Sequence, residues 1–222
     1  MEVNKSQVLR YLGYNNQAVD KKMEELIDNC MKEINIYSKS KYTYKIFNIQ
    51  KVNDDIKLLG SNLVLRGKNI KCHLKDSSMC AVMAVTLGIM ADNKIRCYEK
   101  FNLTKATILD ACATAAVEKL CDEVQNKIRK EAERLGFGIT YRYSPGYGDF
   151  SITIQEDIIN ALDTYKNMGL TCNENYILLP RKSVTAIIGF QDKHIVSEKP
   201  QCKQCSSYDK CIYRKRGGYC EC

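Results

Sequence analysis

Residues 79–88 form the run MCAVMAVTLG, which is apolar almost throughout and ends at Gly88. A short apolar run of this kind is typical of a central strand rather than of an exposed edge strand. The sequence therefore predicts a sheet whose centre lies at residues 79–88.

Further strands are predicted on both sides of this run. Branched and aromatic residues alternate with polar ones at residues 42–49, 70–74 and 139–143, which indicates short half-buried strands. Residues 183–190, SVTAIIGF, complete the predicted set.

Three stretches have the three- and four-residue spacing of amphipathic helices. The first spans residues 16–37, and the second begins with Thr104 as its N-cap and ends at Gly136. The third spans residues 155–168 and ends at Gly169. Because the strands and helices alternate without a strict β-α-β repeat, the predicted fold class is α+β, with a largely antiparallel sheet and flanking helices.

Composition divides the chain into a main domain at residues 1–199 and a small cysteine-rich C-terminal appendage at residues 200–222. The chain has 222 residues and is 45% hydrophobic, which is enough for one substantial core. Five of the 12 cysteines fall in the last 21 residues. The other seven are scattered singly, as at Cys80, Cys112 and Cys121, and we expect buried thiols in a reducing compartment.

Several function classes receive no support from the sequence. Neither a signal peptide nor a long apolar run is present, so we expect a soluble, cytoplasmic protein without a membrane role. The net charge of +8 accompanies no nucleic-acid-binding motif, which argues against nucleic acid as a partner. His73 and His194 lack the spaced partners of a metal or nucleophilic site, so we expect both to be structural.

The run RYSPGYG at residues 142–148 has the composition of a ligand-binding loop. A predicted strand places Arg142 beside a turn. In this turn Pro145 restricts the backbone, and Gly146 permits the close approach of a ligand. A guanidinium can hold a carboxylate through two parallel hydrogen bonds, and Tyr147 can stack on a flat ring. By themselves, the same residues are more often a tight connection with a surface arginine, so the motif alone does not establish a ligand site.

Residues 142–147, RYSPGY, resemble the Arg-x-x-Pro-Gly-Tyr signature of the activation domain of cobalamin-dependent methionine synthase. Upstream, AVTLG at residues 84–88 is similar to that domain's Ala-Val-Thr-Gly-Gly segment, and the long helix with Glu118 resembles its ligand-contacting helix. Downstream, Pro180 with Ser183 and Val184 resembles a Pro-x-x-Ser-Val segment. The resemblance covers about residues 80 to 190 and is specific through this combination.

The resemblance implies a site for S-adenosylmethionine. Arg142 would hold the carboxylate, and Ser144, Pro145, Gly146 and Tyr147 would line the adenosyl end. Glu118 would contact the ammonium group or the ribose hydroxyls. From the residues alone, Glu118 is as well explained as a solvated helix residue, although Asp122 one turn later forms an unfavourable like-charge pair with it.

The chain also departs from the family pattern. The family continues after the tyrosine with Pro-x-x-Pro-x-His, whereas Gly148, Asp149 and Phe150 follow here. The family's acidic ligand residue near the start of the domain has no matched position, and its tyrosine after the last strand is missing around His194. These roles are therefore not transferred.

The C-terminal appendage contains Cys202, Cys205, Cys211, Cys220 and Cys222. The first four can enclose a zinc ion or hold an iron–sulfur cluster, and either would order a segment poor in apolar residues. Disulfides formed in air are the alternative explanation.

The resemblance implies a free-standing reactivation module. It would support reductive methylation of inactive cobalamin on a methionine synthase that lacks its own activation domain, with flavodoxin or ferredoxin as the reductant. Two alternatives remain: an autonomous S-adenosylmethionine-dependent methyltransferase, for which no general base stands out, and a basic nucleic-acid-binding module with a zinc-binding tail.

Overall fold

The apolar run at residues 79–88 lies in a central strand of a six-stranded antiparallel sheet. The computed structural model describes residues 3–14, 17–53 and 55–195. The elements in chain order are α1 (Lys5–Tyr11), α2 (Lys21–Tyr37), β1 (Lys41–Val52), β2 (Asp55–Leu58), β3 (Val64–Arg66), α3 (Lys68–His73), β4 (Ser77–Thr86), α4 (Ile89–Glu99), α5 (Leu103–Arg134), β5 (Phe137–Ile139), α6 (Gln155–Leu162), α7 (Thr164–Met168), β6 (Thr171–Cys172), β7 (Leu178–Leu179) and β8 (Ser183–Asp192).

Strand β4 is apolar on both faces because each face is covered by a separate layer. The sheet order is β3-β2-β1-β4-β8-β5, and β6 pairs with β7 in a small second sheet. Ala81, Met83 and Val85 face a core shared with α1, α2, α4 and α5. Cys80 and Val82 face the opposite core, which is shared with β2, β3, α3, α6 and α7. The predicted α+β class with a largely antiparallel sheet is confirmed.

Helix α5 is the longest helix of the described chain. It contributes many residues to the first core, which is the one that Ala81, Met83 and Val85 face; the second core is the one that Cys80 and Val82 face. The side chain of Asn102 accepts a hydrogen bond from the backbone N–H of Lys105 at 3.0 Å, so Asn102 and not Thr104 is the N-cap. Leu109, Ala113 and Ala116 are fully buried, and these small and branched side chains let the helix lie close to the sheet.

Residues 70–73 belong to α3 and Leu74 caps its end, so the predicted strand at residues 70–74 is wrong. Ile70 and Leu74 are both fully buried, a spacing of four that fits one helix face as well as it fits alternation. The decisive feature is the carboxylate of Asp149, which accepts hydrogen bonds from the first backbone N–H groups of α3. This cap lies about 80 residues away in the sequence, so local periodicity could not indicate it.

Three further elements differ from their predicted extent. The helix predicted at residues 155–168 is divided into α6 and α7 by Asp163, which has a left-handed φ of 52°. Strand β5 ends at Ile139 because the Thr140 hydroxyl accepts the N–H of Gly189 in place of a backbone carbonyl. Helix α2 begins later than predicted, where Asp20 caps it.

Among the described residues, none of the helices combines the length and the apolar character that crossing a membrane requires. The cysteine-rich appendage at residues 200–222 lies outside the described residues, so its expected organisation stays a prediction.

Candidate functional site

One face of α5 presents a row of polar side chains toward the sheet edge. Asp110, Thr114, Glu118 and Asp122 follow one another at intervals of four residues, and Gln125 comes three residues later. Residues three and four apart lie on one side of a helix, so these five side chains form a single polar row.

Arg142 lies against the C-terminal half of this row. Its Nη1 donates to the Asp122 carboxylate and to the side-chain oxygen of Gln125, both at 2.8 Å. Its Nη2 donates to the Glu118 carboxylate at 3.2 Å. Two carboxylates and one amide therefore surround a single guanidinium, and the like-charge pair in α5 has a cation between its members.

The guanidinium of Arg142 is largely shielded from solvent but keeps its charge. Its side chain is 20% exposed, compared with 29% for Glu118 and 53% for Asp122. Burial lowers the pKa of Arg142, but Cys121 and the hydrogen bond and charge of Asp122 outweigh it, so the pKa lies above its ordinary value. Arg142 is thus a fixed cation at the sheet edge.

Tyr143, the next residue, fixes the chain to the edge of the sheet. Its backbone N–H donates to Ile187 in β8 at 3.0 Å, and the N–H of Ile187 donates back at 2.9 Å. Its ring lies between His73 and Phe150, with ring centroids 5.1 Å and 6.1 Å away and interplanar angles of 27°. These contacts fix the backbone directly after Arg142 and so limit the positions that the Arg142 side chain can occupy.

The loop after Tyr143 turns back on itself. Pro145 is buried, and Gly146 has a φ of 92°, a conformation that a residue with a side chain would adopt only under strain. The N–H of Gly146 donates to the carbonyl of Phe150 at 2.8 Å, which closes the turn. Tyr147 is 48% exposed, so much of its ring is accessible to a ligand or partner.

Asp149 and Phe150, which depart from the family pattern, anchor the same loop. The carboxylate of Asp149 accepts from the N–H of Lys68 at 2.6 Å and from that of Asn69 at 2.9 Å. Phe150 is 2% exposed and belongs to the second core. A helix cap and a buried ring therefore fix the loop where the family has Pro-x-x-Pro-x-His.

The segments that carry the resemblance meet around β8. Val184 is opposite Val85 and Ser183 is opposite Thr86 in the sheet. The Ser183 hydroxyl donates to the Thr86 hydroxyl at 2.7 Å. Since Ile187 of the same strand pairs with Tyr143, β8 lies between residues 85–86 of β4 on one side and the chain that carries Arg142 on the other.

A second cation occupies the other end of the α5 row. Nζ of Lys182 lies 2.9 Å from the Asp110 carboxylate and donates to the Thr114 hydroxyl at 2.8 Å, and the side chain is 13% exposed. Asp110, Thr114, Gln125 and Lys182 were not among the residues predicted for the site. The four-residue spacing from Glu118 is the one signal that could have identified members of the row.

Of the six residues assigned to the site by resemblance, Glu118 and Arg142 are in direct contact. Ser144, Pro145, Gly146 and Tyr147 form the adjoining loop, and the Tyr143 hydroxyl donates to the carbonyl of Tyr147 at 3.2 Å. The metal ligands proposed at Cys202, Cys205, Cys211 and Cys220 lie outside the described residues.

The seven cysteines outside the appendage differ in how deeply they are buried. Cys30, Cys80, Cys112 and Cys121 are buried as expected, but Cys72 and Cys97 are exposed and Cys172 is half-buried, so the expectation of seven buried thiols is wrong. Cys72 lies on the short helix α3 and Cys97 on α4. The spacing of apolar residues in the sequence does not show which side of these two helices faces solvent. His73 is the last residue of α3, and its Nε2 lies 3.0 Å from the Thr140 hydroxyl.

No family model matches the chain, and no curated protein matches it. Among solved structures it is similar to the crystal structure of the MetH reactivation domain bound to AdoHcy. The TM-score is 0.67 at 14% sequence identity, and the match covers 98% of this chain and 82% of that chain. The chain therefore has the fold of that reactivation domain.

Proposed function

We propose that the chain binds S-adenosylmethionine and supports the reductive methylation of inactive cob(II)alamin on a cobalamin-dependent methionine synthase. The observation that carries this proposal is the contact of Arg142 with Glu118 beside the RYSPGY loop, at 3.2 Å. Support comes from the fold, which is similar to that of a domain solved with AdoHcy.

The pair of Arg142 and Glu118 fits the amino-acid end of S-adenosylmethionine. That end carries a carboxylate and an ammonium group on one carbon, so its binding needs a cation and an anion side by side. Arg142 would hold the carboxylate, and Glu118 would exchange its contact with Arg142 for one with the ammonium group. Because both protein groups are partly shielded from water, each contact is stronger than on an open surface.

The loop of Ser144, Pro145, Gly146 and Tyr147 would receive the adenosyl end. Its backbone is anchored at Tyr143 and at Phe150, so it offers fixed polar groups at little entropic cost. The exposed ring of Tyr147 is available for stacking on a flat heterocycle.

When bound, S-adenosylmethionine supplies the methyl group for the cobalt, and the task of this chain is to aim it. Holding the two ends of the methyl donor restricts the orientation of the sulfonium, and such positioning lowers the barrier to a two-body reaction. We place the cobalamin on a partner methionine synthase that lacks its own activation domain. A flavodoxin or ferredoxin would supply the electron.

A reconstituted reaction tests the proposal. A methionine synthase without its activation domain, loaded with cob(II)alamin, is mixed with a reductant, S-adenosylmethionine and this chain, and the cobalamin spectrum is followed. We expect methylcobalamin to form only in the complete mixture. Equal formation without the chain would contradict the reactivation role, and absence of S-adenosylmethionine binding by the chain alone would contradict the assigned site.

We further propose that Cys202, Cys205, Cys211 and Cys220 bind zinc or an iron–sulfur cluster, as their clustering in the sequence indicates. Elemental analysis and visible absorbance of anaerobically purified protein test this, with a chain ended after Pro200 as the control. Metal-free protein in which every appendage thiol can be titrated would rule the site out.

A further inference from the structure

Asp122 and Gln125 accept hydrogen bonds from both hydrogens of the Nη1 group of Arg142. Nη1 carries two hydrogens, and it has two acceptors, the Asp122 carboxylate and the Gln125 amide oxygen, each at 2.8 Å. Both distances are those of good hydrogen bonds to a charged group. This end of the guanidinium therefore has no donor left for a ligand.

The opposite end of Arg142 is differently placed. Nη2 has one contact, to Glu118 at 3.2 Å, and within the described part of the chain no group accepts a hydrogen bond from Nε. Nε and Nη2 form one of the two edges through which a guanidinium can bind a carboxylate by two parallel hydrogen bonds. The protein thus uses one side of Arg142 for itself and leaves the other edge as the fork for a ligand.

Building on the S-adenosylmethionine site proposed above, we propose that Asp122 and Gln125 are positioning residues that orient the Nε–Nη2 edge of Arg142 toward the ligand's carboxylate. Glu118 is the exchangeable third contact, whereas Asp122 and Gln125 remain in place when the ligand binds. Neither residue needs to touch the ligand.

The charges of the site make it possible to distinguish an orienting role of Asp122 from a purely electrostatic one. Glu118 and Asp122 together carry two negative charges against the single positive charge of Arg142, so the charge of Asp122 opposes binding of a carboxylate. If charge alone mattered, removing the charge of Asp122 would strengthen carboxylate binding whatever group replaced it. If orientation matters, the replacement must keep an acceptor oxygen.

The variants follow from this distinction. Asp122→Asn keeps an acceptor oxygen and loses the charge, and Asp122→Ala loses both. Gln125→Glu keeps the acceptor, and Gln125→Leu keeps the approximate volume without it. Glu123→Gln, on the exposed neighbouring position of α5, is the matched control for a change of charge.

The readout is selectivity for a carboxylate. The dissociation constants of AdoHcy and of its decarboxylated analogue, which keeps the amine and lacks only the carboxylate, are measured by calorimetry for each variant. We expect Asp122→Ala and Gln125→Leu to reduce the ratio of the dissociation constant of the decarboxylated analogue to that of AdoHcy by about fivefold or more, whereas Asp122→Asn and Glu123→Gln do not reduce it by more than about twofold. Gln125→Glu keeps the acceptor but adds an opposing charge, so it should reduce the ratio less than Gln125→Leu does.

A variant that merely loosened the fold would weaken both ligands equally and leave the ratio unchanged. An unchanged ratio in Asp122→Ala and Gln125→Leu would therefore overturn the positioning role, and so would a loss in Asp122→Asn as large as in Asp122→Ala. Failure of the unmodified chain to bind AdoHcy at all would instead contradict the proposed function.

Discussion

The Oδ2 atom of Asp149 lies 2.6 Å from the backbone nitrogen of Lys68, which ties the site loop to the first turn of α3. The other carboxylate oxygen accepts from Asn69, so one side chain satisfies two N–H groups at the start of the helix. These hydrogen bonds, with that to Asn69 first, lower the pKa of Asp149. The loop is therefore fixed by a contact that depends on the ionised carboxylate.

Asp149→Ala should lower the melting temperature by a few degrees and weaken AdoHcy binding several-fold, because the loop after Arg142 loses its anchor. Asp149→Asn, which keeps an acceptor oxygen, should have a smaller effect on both. Thermal unfolding and calorimetry measure the two quantities. Unchanged binding in Asp149→Ala would show that the loop does not depend on this anchor.

Arg142→Ala should weaken S-adenosylmethionine binding by about 2 kcal/mol or more, roughly 30-fold, because a charge-assisted contact to the carboxylate is lost. Arg142→Lys keeps the charge but cannot form two parallel hydrogen bonds, so its loss should be intermediate. Titration calorimetry measures both variants, with thermal unfolding as the check that each is folded. Equal affinity of Arg142→Ala and the unmodified chain would remove Arg142 from the site.

His73 should make the protein less stable in acid. Burial lowers the pKa of His73 from 6.5 to about 4, which means that the folded state binds fewer protons than the unfolded state between these values. Stability is therefore full above the unfolded pKa and falls as the pH drops toward the folded pKa, by about 2 kcal/mol from about pH 7 to about pH 5.

His73→Gln removes this titration and can still hydrogen-bond to the Thr140 hydroxyl. Urea unfolding at both pH values should show a smaller loss for His73→Gln than for the unmodified chain. The same loss in both proteins would mean that other groups cause the acid sensitivity.

Gly189 and Ser77 should show a compensating pair of substitutions. A Cβ at Gly189 would meet the Ser77 hydroxyl and would lie 2.8 Å from Cδ2 of Leu74, so Gly189→Ala should cost about 1 to 3 kcal/mol. Within the described residues, the buried Ser77 hydroxyl has no hydrogen-bond partner, so Ser77→Ala should cost little or be stabilising.

The double variant should then be more stable than Gly189→Ala alone, because the alanine at Ser77 removes the atom in the closest contact. Urea unfolding of the four proteins completes the cycle. Strictly additive effects would show that the Ser77 hydroxyl is not what excludes a side chain at Gly189.

Elements that are determined by nearby residues in the sequence are predicted correctly, whereas elements that depend on contacts between distant parts of the chain are not. The sequence pattern predicts β4 because both faces of this strand are buried, and it predicts α5 because the buried residues of this helix recur at helical spacing over many turns. At residues 70–74 the apolar pattern fitted a strand and a helix equally, and a side chain from residue 149 decided between them. Short elements have too few residues for periodicity to resolve such cases.

The sequence by itself determined the fold class, the central strand, the long helix and the motif that contains Arg142, because these depend on local apolar patterns and on contiguous residues. Tertiary structure alone decided which groups surround Arg142. Asp122 and Gln125 are about 20 residues from it, and the contacts of Thr86 with Ser183 and of Asp149 with Lys68 span about 80 to 100 residues. Such hydrogen bonds depend on how the layers pack, and no local pattern of the chain records them.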